Sequence, residues 1–526
     1  MSTTLRCRSA IFVSLLTACA GSVWAIETTS RGLDIADIIN ANPLYEMGLT
    51  GSTASIINVE AGLASTSHAA LQHVSGSYFG SGGLSSTSSH ATAVAFAMAG
   101  RGSTVGTRGI AYNAALYSGS IANSISGNSF TLTSATLRDG LASPLVQRNF
   151  DVVNMSWGNS SGSTWLNHAI DASARRTNTT MVVSSGNNGY RTNSVGSPAR
   201  AFNSITVGAL ASELNGYSST ASFSSGGPVV LTNPNNSGQS LGVYAAVDIV
   251  APGQDLTLAS SSNNAYSGNW RGTSFAAPVV AGGASLLVDA GRQLVGGRST
   301  DPRVIKAAML NSARKNSGWN NGQALTGGVV RTTQALDYAT GAGILDVANA
   351  YNQLTQGQTD LSAATAAIES VGWDFNSVNE FATIDYRFGG LLDAGETITA
   401  TLTWFSEANW SVYDNWNTFS TSAGTLQNLD LSVWSVDELG NADELIAESV
   451  SPVGSTEHLS FDIAEAGEYL LRVENAGVVY DLIGSNGRTD FALAWQTGEL
   501  FDQPVPTPGG MVLCSIAALV ALRRRR

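Results

Sequence analysis

Apolar positions in the first two thirds of the chain form two kinds of segment that follow one another. Short continuous apolar runs alternate with longer stretches of small and apolar residues at helical spacing. The runs that predict buried strands are 55–59, 151–155, 181–183, 204–207 and 247–250. The stretches that predict helices are 90–99, 165–176, 304–313 and 345–354. This alternation predicts an α/β fold with a mostly parallel sheet flanked by helices on both faces.

The hydrophobic pattern changes to a period of two beyond residue 370. Ile398, Ala400, Leu402 and Trp404 alternate with threonines. Further strands with this period are predicted at 429–433, 469–473 and 491–495. A period of two without a long helical stretch predicts an antiparallel β-sandwich.

The distribution of charge supports the same division of the chain. Residues 26–369 carry 17 acidic and 17 basic side chains, whereas residues 370–500 carry 21 acidic side chains and only three arginines. Two units with different surfaces are therefore predicted. The first spans 26–355, a polar and alanine-rich linker spans 356–369, and the acidic sandwich spans 370–500.

The N-terminal residues have the pattern of a secretory signal. Arg6 and Arg8 precede an apolar run, and Ala25 ends a small-residue cleavage motif, so residues 1–25 are predicted to be removed. The segment 16–19 resembles a bacterial lipoprotein box, and the alternative is a lipidated Cys19. Both interpretations predict export. Because all three cysteines lie in the terminal segments, no disulfide or thiol chemistry is expected in the folded body.

The C-terminal residues 501–526 contain a proline motif, a short apolar run and four arginines in that order. This arrangement resembles the PEP-CTERM sorting signals of bacterial surface proteins, although Thr507 stands where that family usually has glutamate. The resemblance implies processing by an exosortase-like enzyme and membrane association through this segment. The arginines would stay on the cytoplasmic side.

Four residues in the first unit have the chemistry that serine-based acyl transfer needs. Ser274 lies where a helix of small and apolar residues is predicted to begin, and alone it reads as a simple N-cap, with Pro278 near the first turn. His90 opens another helix of small residues. Glu60 ends the first predicted strand, at the edge where parallel sheets form sites. Asn187 supplies a side-chain amide on a glycine-framed turn.

Taken in order, these segments resemble the subtilisin-like serine proteases (subtilases). The resemblance covers about 44–351 and is most specific at 272–278, with further matching segments at 106–117, 221–226, 248–253 and 341–346. The order acid, histidine, serine is that of the subtilisin template. The resemblance implies a secreted or cell-surface serine endopeptidase that acts on polypeptides.

The resemblance also implies a role for each site residue. Ser274 corresponds to the nucleophile, His90 to the general base, and Glu60 to the family's aspartate. Asn187 corresponds to the oxyanion donor, with the Ser274 backbone N–H as its partner. The residues that correspond to the substrate-binding walls are Ser156, Trp157, Gly158, Ser185 and Gly186.

The sequence departs from the family pattern at three points. Glu60 is one methylene longer than aspartate, so strand or helix must sit differently. Ala91 stands where the family usually has glycine after the histidine. Between the predicted signal and the catalytic segment there is too little chain for the usual propeptide domain.

These departures leave two alternatives to a protease open. One is an inactive subtilase fold used for binding at the cell surface, and the other is an adhesion protein in which the sandwich is the working part. No metal-binding residue is predicted with certainty, and structural calcium is one possibility. No nucleic-acid partner is expected. Cleavage specificity, natural substrate and oligomeric state are not encoded in any motif of the chain.

Overall fold

The computed structural model of the chain describes the following residues: 34–102, 108–127, 129–160, 162–212, 216–261, 264–294, 296–359, 367–413 and 418–498. The predicted signal peptide, the lipidation alternative at Cys19 and the predicted sorting segment 501–526 lie outside this part of the chain.

The first unit, called the α/β unit below, contains strands that lie between residues 55 and 332. In chain order they are β1 (Ser55–Glu60), β2 (Ser77–Tyr78), β3 (Ala115–Ser120), β4 (Ser124–Ser126), β5 (Ser129–Thr131), β6 (Val152–Met155), β7 (Thr180–Ser184), β8 (Ser204–Leu210), β9 (Val229–Asn233), β10 (Asn236–Tyr244), β11 (Ile249–Pro252), β12 (Leu256–Ala259), β13 (Tyr266–Trp270), β14 (Ala324–Thr326) and β15 (Val329–Thr332).

The helices of the α/β unit lie before, between and after these strands. They are α1 (Ile35–Ile38), α2 (Asn42–Glu46), α3 (Ser89–Ala99), α4 (Ser134–Leu137), α5 (Ser143–Arg148), α6 (Thr164–Thr177), α7 (Thr273–Gly291), α8 (Pro302–Asn311) and α9 (Val347–Thr355), with a 3-10 turn at Ala69–Leu71 and a π-helical turn at Arg138–Ala142.

A seven-stranded sheet forms the centre of this unit, in the order β11-β8-β7-β6-β1-β3-β2. All of its neighbouring strands pair in parallel. The strands in the middle of the sheet are almost wholly buried because helices cover both faces, which agrees with their continuous apolar runs. The predicted α/β fold is confirmed.

The long helix α7 is the core helix of the α/β unit. It packs against β6, β7, β8 and β11 of the sheet and against α3. By length and composition α7 is apolar enough to cross a membrane, but it is fully buried inside the protein. Of its residues, only Ser274 is not buried.

The structure corrects two expectations about the start of α7. The N-cap is Gly272, not Ser274, and the helix begins at Thr273. Gly272 has a φ of +148°, a conformation that favours glycine. Pro278 lies in the second turn, not the first. Because proline has no N–H, the Ser274 carbonyl lacks its usual helical donor, a loss that a well-packed core helix tolerates.

The second unit is an antiparallel sandwich, as predicted. Its strands are β16 (Val371–Asn379), β17 (Thr383–Arg387), β18 (Thr397–Trp404), β19 (Asn409–Tyr413), β20 (Thr418–Ser422), β21 (Thr425–Val436), β22 (Ala442–Ser449), β23 (Thr456–Asp462), β24 (Tyr469–Asp481) and β25 (Arg488–Thr497). One sheet has the order β16-β25-β18-β23, and the facing sheet has the order β14-β15-β22-β21-β24-β17. Leu402, Leu431, Leu471 and Leu493 lie in the core of this sandwich.

The two units are joined by more than the linker. The hairpin β14–β15, which precedes the linker in sequence, extends a sheet of the sandwich because β15 pairs in parallel with β22. Helix α8 packs against β18 and β25, and α9 packs against β16. The core of the α/β unit also includes Trp373, Phe405 and Ala492 of the sandwich. The apolar core of the α/β unit therefore extends to the face of the sandwich that it contacts, while the interior of the sandwich has a core of its own.

Candidate active site

The candidate site begins where β1 ends. Glu60 is the last residue of β1, and only 3% of its side chain is exposed. Its Oε2 lies 3.1 Å from Nδ1 of His90, and its Oε1 accepts a hydrogen bond of 3.2 Å from the backbone N–H of Ser156. The longer side chain of glutamate thus contacts both the imidazole and the end of the neighbouring strand β6.

His90 is held by the first turn of α3. The Ser88 hydroxyl caps this helix by accepting from the N–H of Ala91 at 3.1 Å. Burial lowers the pKa of His90, but the charge of Glu60 and its hydrogen bond outweigh burial, so the pKa is raised. The imidazole also packs against the ring of Phe275. The imidazolium form is therefore stabilised by Glu60 in a partly exposed position.

Ser274 lies at the second position of α7, with its side chain on the surface of a cleft. Its hydroxyl donates a hydrogen bond of 3.0 Å to the carbonyl of Ser156. The backbone N–H of Ser274 belongs to the first turn of α7, where amides have no helical acceptor and the helix dipole favours negative charge. An oxyanion formed at Ser274 would lie close to these amides.

Asn187 follows β7 on the turn that Gly186 forms with a φ of +107°. Its Oδ1 accepts hydrogen bonds from the N–H of Thr273 at 2.9 Å and from the Thr273 hydroxyl at 3.2 Å. With Oδ1 held at the start of α7, the amide group of Asn187 has a fixed orientation, and Nδ2 remains as a donor. Thr273 was not singled out from the sequence, although it lies within the most specific motif.

The structure brings all the site residues predicted from the sequence to one cleft of about 920 Å³. The predicted residues among those that line it are Glu60, His90, Ser156, Trp157, Gly158, Ser185, Gly186, Asn187 and Ser274. Trp157 is fixed by a hydrogen bond of 3.0 Å from its indole N–H to the carbonyl of Val59.

One wall of the cleft was not predicted. The hairpin β4–β5 contributes Ile125 and Phe130, and the ring of Phe130 meets that of Trp157 edge-on at 5.9 Å. Trp270 and Arg271 line the side next to α7. β4 and β5 have only three residues each, with one apolar residue between two polar ones, and Gly127–Asn128 between them was the available turn signal.

Two buried asparagines lie behind the cleft and were also missed. Asn58 and Asn154 are 0% exposed and are paired in register on β1 and β6. Each lies two positions before a site residue, Glu60 or Ser156. An amide inside an otherwise apolar strand was the available signal, because buried polar groups need partners.

Within the described residues no group of three or more His, Cys, Asp or Glu side chains is arranged to hold a metal ion. These side chains therefore do not provide a donor set for the calcium considered from the sequence. Calcium binding stays a prediction.

Comparison with known proteins gives a consistent result. The model of the subtilase family matches residues 65–343, which include His90, Asn187 and Ser274, while Glu60 lies just ahead of the match. The chain is 32% identical over 255 residues to subtilisin DY of Bacillus licheniformis, covering 48% of this chain and 82% of that protein. It is 30% identical over the same length to a subtilisin of Bacillus pumilus, with the same coverage.

Among solved structures, the chain is similar to the prenylagaramide maturation protease PagA. The sequences are 22% identical, the TM-score is 0.45, and the match covers 60% of this chain and 98% of that chain.

Proposed function

The chain belongs to the subtilase family and is a serine-type endopeptidase, and we propose that it cleaves polypeptides through an acyl-enzyme at Ser274. The observation that carries this assignment of residues is the contact of 3.1 Å between Glu60 Oε2 and His90 Nδ1 in the cleft that also contains Ser274. A buried carboxylate against an imidazole is the arrangement that prepares histidine as a general base.

In the proposed reaction His90 Nε2 takes the proton of the Ser274 hydroxyl as Oγ attacks the scissile carbonyl carbon. Glu60 stabilises the imidazolium that forms. His90 then gives the proton to the leaving amine, and the peptide C–N bond breaks. A water molecule, deprotonated by His90, attacks the acyl-enzyme, and the second product leaves as a carboxylic acid while Ser274 regains its proton.

Ser274 must change its hydrogen bond before it reacts. Its hydroxyl now donates to the carbonyl of Ser156, and this bond has to be exchanged for one to His90. The proposed exchange is a rotation about χ1 of Ser274, and catalytic hydrogen bonds often form only when substrate is bound. Substrate that displaces the hydroxyl from Ser156 would therefore favour the reactive arrangement.

We assign the oxyanion site to Nδ2 of Asn187 and the backbone N–H of Ser274. The two hydrogen bonds from Thr273 to Asn187 Oδ1 support this assignment, because they orient the amide before substrate arrives. Ser156, Trp157 and Gly158 would pair with one side of an extended peptide, and Ser185 with Gly186 would wall the opposite side.

We further propose that the enzyme works outside the cytoplasm, at the cell surface or in the medium. This rests on the sequence patterns of residues 1–25 and 501–526, with Cys19 as the lipidation alternative. An exosortase-like enzyme would be the processing partner of the C-terminal segment, which would associate with the membrane. Detection of the C-terminal segment in the membrane fraction before processing, and its loss afterwards, would test this.

A fluorophosphonate probe tests the proposed nucleophile directly. The folded protein should be labelled at Ser274, and Ser274→Ala should not be labelled. Ser285→Ala is the matched control, because Ser285 lies on the same helix with its hydroxyl buried and bonded to the carbonyl of Ala281. Labelling that persists in Ser274→Ala would refute Ser274 as the nucleophile, and absence of labelling from the folded parent protein would favour an inactive subtilase fold used for binding.

A further inference from the structure

The two buried asparagines behind the cleft connect the elements that carry the proposed catalytic residues. Asn58 Nδ2 donates a hydrogen bond of 3.0 Å to the carbonyl of Ala91, in the first turn of α3 directly after His90. Asn154 Nδ2 donates 3.3 Å to Asn58 Oδ1 and 2.9 Å to the hydroxyl of Ser156. The set therefore runs from the helix of His90, through β1, to the end of β6.

The orientation of both amides follows from their partners. Since the Ala91 carbonyl can only accept, Asn58 must turn Nδ2 towards α3 and Oδ1 towards β6. Asn154 must then direct Nδ2 towards Asn58. These constraints leave Asn154 Oδ1 buried without a hydrogen-bond partner among the described residues, which indicates that its two donated bonds decide the geometry.

Ser156 closes the connection at the cleft. Its N–H holds Glu60 Oε1, its carbonyl accepts from the Ser274 hydroxyl, and its own hydroxyl is held by Asn154. Glu60 and Ser274 thus each share a hydrogen bond with Ser156, whose hydroxyl is bonded to Asn154. His90 is the neighbour in sequence of Ala91, whose carbonyl is bonded to Asn58.

We propose that Asn58 and Asn154 form an amide relay that sets the position of α3 relative to β1 and β6, so that a glutamate at position 60 reaches His90 correctly. Neither asparagine touches the reacting atoms, so both are positioning residues. The inference rests on the proposed function. An apolar pair would pack between these strands without the cost of burying amides, so the polar pair needs a reason beyond packing.

The relay reaches α3 through the backbone of the residue that follows His90. Ala91 is fully buried, and its carbonyl is the group that Asn58 holds. A glutamate side chain is longer than an aspartate, and a helix tied to β1 through Ala91 is held at a defined distance from it. Among the described residues that line the cleft, the charged side chains are those of Glu60 and Arg271, so Glu60 is the carboxylate whose placement matters for His90.

The test replaces each asparagine with the isosteric leucine, in Asn58→Leu, Asn154→Leu and the double variant. We expect kcat on a peptide substrate to fall about 10- to 100-fold in each single variant, with KM little changed, because a small displacement of a catalytic group has this effect. The double variant should lose little more than either single one, since residues that act as a unit are not additive.

A second measurement does not depend on activity. NMR titration of His90, assigned with His90→Gln, should show a lower imidazole pKa in Asn58→Leu than in the parent protein, because a weaker contact with Glu60 no longer raises it. The acid limb of the kcat/KM profile should move to lower pH in the same direction. If Asn58→Leu does not fold, the same titration is measured in Asn58→Ser, which removes the amide and adds no bulk.

Asn321→Leu is the matched control. Asn321 is also fully buried and donates a hydrogen bond of 3.1 Å to a backbone carbonyl, that of Ala335, away from the cleft. It should lower the melting temperature without moving the His90 titration or kcat. The relay is refuted if His90 titrates unchanged in the Asn58 variants, or if Asn321→Leu changes kcat equally. If the parent protein is not labelled by the probe but the His90 titration still shifts in the Asn58 variants, the protease assignment is refuted and the relay is retained.

Discussion

Each of the two units buries a glutamate, and the two side chains behave differently. Glu60 in the α/β unit is 2% exposed and contacts the imidazole of His90 beside an open cleft. Glu457 on β23 of the sandwich is 0% exposed and bonds only neutral groups, the Ser449 hydroxyl and the Ser451 N–H. Burial raises the pKa of Glu457 to about 8. Similar burial therefore places one glutamate against a histidine at the cleft, and in the other unit it favours the protonated acid.

The contact between the two units resembles the surroundings of Glu457, because buried polar groups there also bond to one another. Asn203 of the α/β unit exchanges two hydrogen bonds with the backbone of Ser406, at 2.8 and 2.7 Å. Lys315 lies 2.8 Å from His458, which is fully buried. Here polar groups satisfy one another across a closed surface. Burial and hydrogen bonding of polar groups therefore do not by themselves identify a functional site. The pair of Glu60 and His90 differs because it lies beside an open cleft.

The largest expected effect separates the two glutamates. Glu60→Gln should lower kcat/KM by about 10⁴-fold, as when a triad carboxylate becomes an amide, because the imidazolium loses its counter-charge. Glu457→Gln should leave kcat/KM unchanged at pH 7, since Glu457 is already protonated there. Steady-state kinetics on a peptide substrate measures both. A similar loss in the two variants would contradict the distinction.

The next effect concerns the proposed oxyanion donor. Asn187→Leu should lower kcat by about 10²- to 10³-fold with a small change in KM, because the donor acts mainly in the transition state. Thr273→Val, which removes the hydroxyl bonded to Asn187 Oδ1 but keeps the backbone donor, should cost less. If Asn187→Leu changed KM alone, the residue would bind substrate and not the oxyanion.

A substitution at the contact between the units should lower the stability of the protein without changing catalysis. Asn203→Leu removes the bonds to Ser406 and one to the carbonyl of Asp171, and it should lower the free energy of unfolding by about 2–4 kcal/mol. Denaturant unfolding measures this loss. The kcat per titrated active site should stay at the parent value, and a parallel fall in kcat would show that the contact tunes the cleft.

The last expected effect is a change in how the free energy of unfolding depends on pH. Glu457 keeps its proton to about pH 8 in the fold, whereas the unfolded chain releases it near 4.5. The folded state thus binds more protons between these values, so this group's stabilisation is lost as the pH rises through the window. Glu457→Gln should show a shallower decline in unfolding free energy between pH 5 and 8. An unchanged slope would mean that Glu457 ionises normally.

The local pattern of the sequence was sufficient for most strands of the central sheet, for the long helices and for the residues to which roles are proposed, but not for the short hairpins. The apolar runs correspond to β1, β6, β7, β8 and β11, because a strand covered on both faces must be apolar throughout. The change to a period of two marked the sandwich because one face of its sheets is apolar, but the pattern did not show that the threonine face of β18 is also buried, against the α/β unit. Ser274, His90, Asn187 and Glu60 were singled out because short segments resemble the family motif, and the structure brings these four residues to one cleft, while their roles stay proposals.

What the tertiary structure alone decided are the contacts between segments far apart in the chain. Ser156 N–H bonds Glu60 across 96 positions, and the Asn58–Asn154 pair spans the same separation. The hairpin β14–β15 joins a sheet of the sandwich rather than that of its own unit. Hydrophobic periodicity specifies which face of an element is buried, but not which element covers it. Partner, distance and side-chain orientation are settled only when the whole core packs.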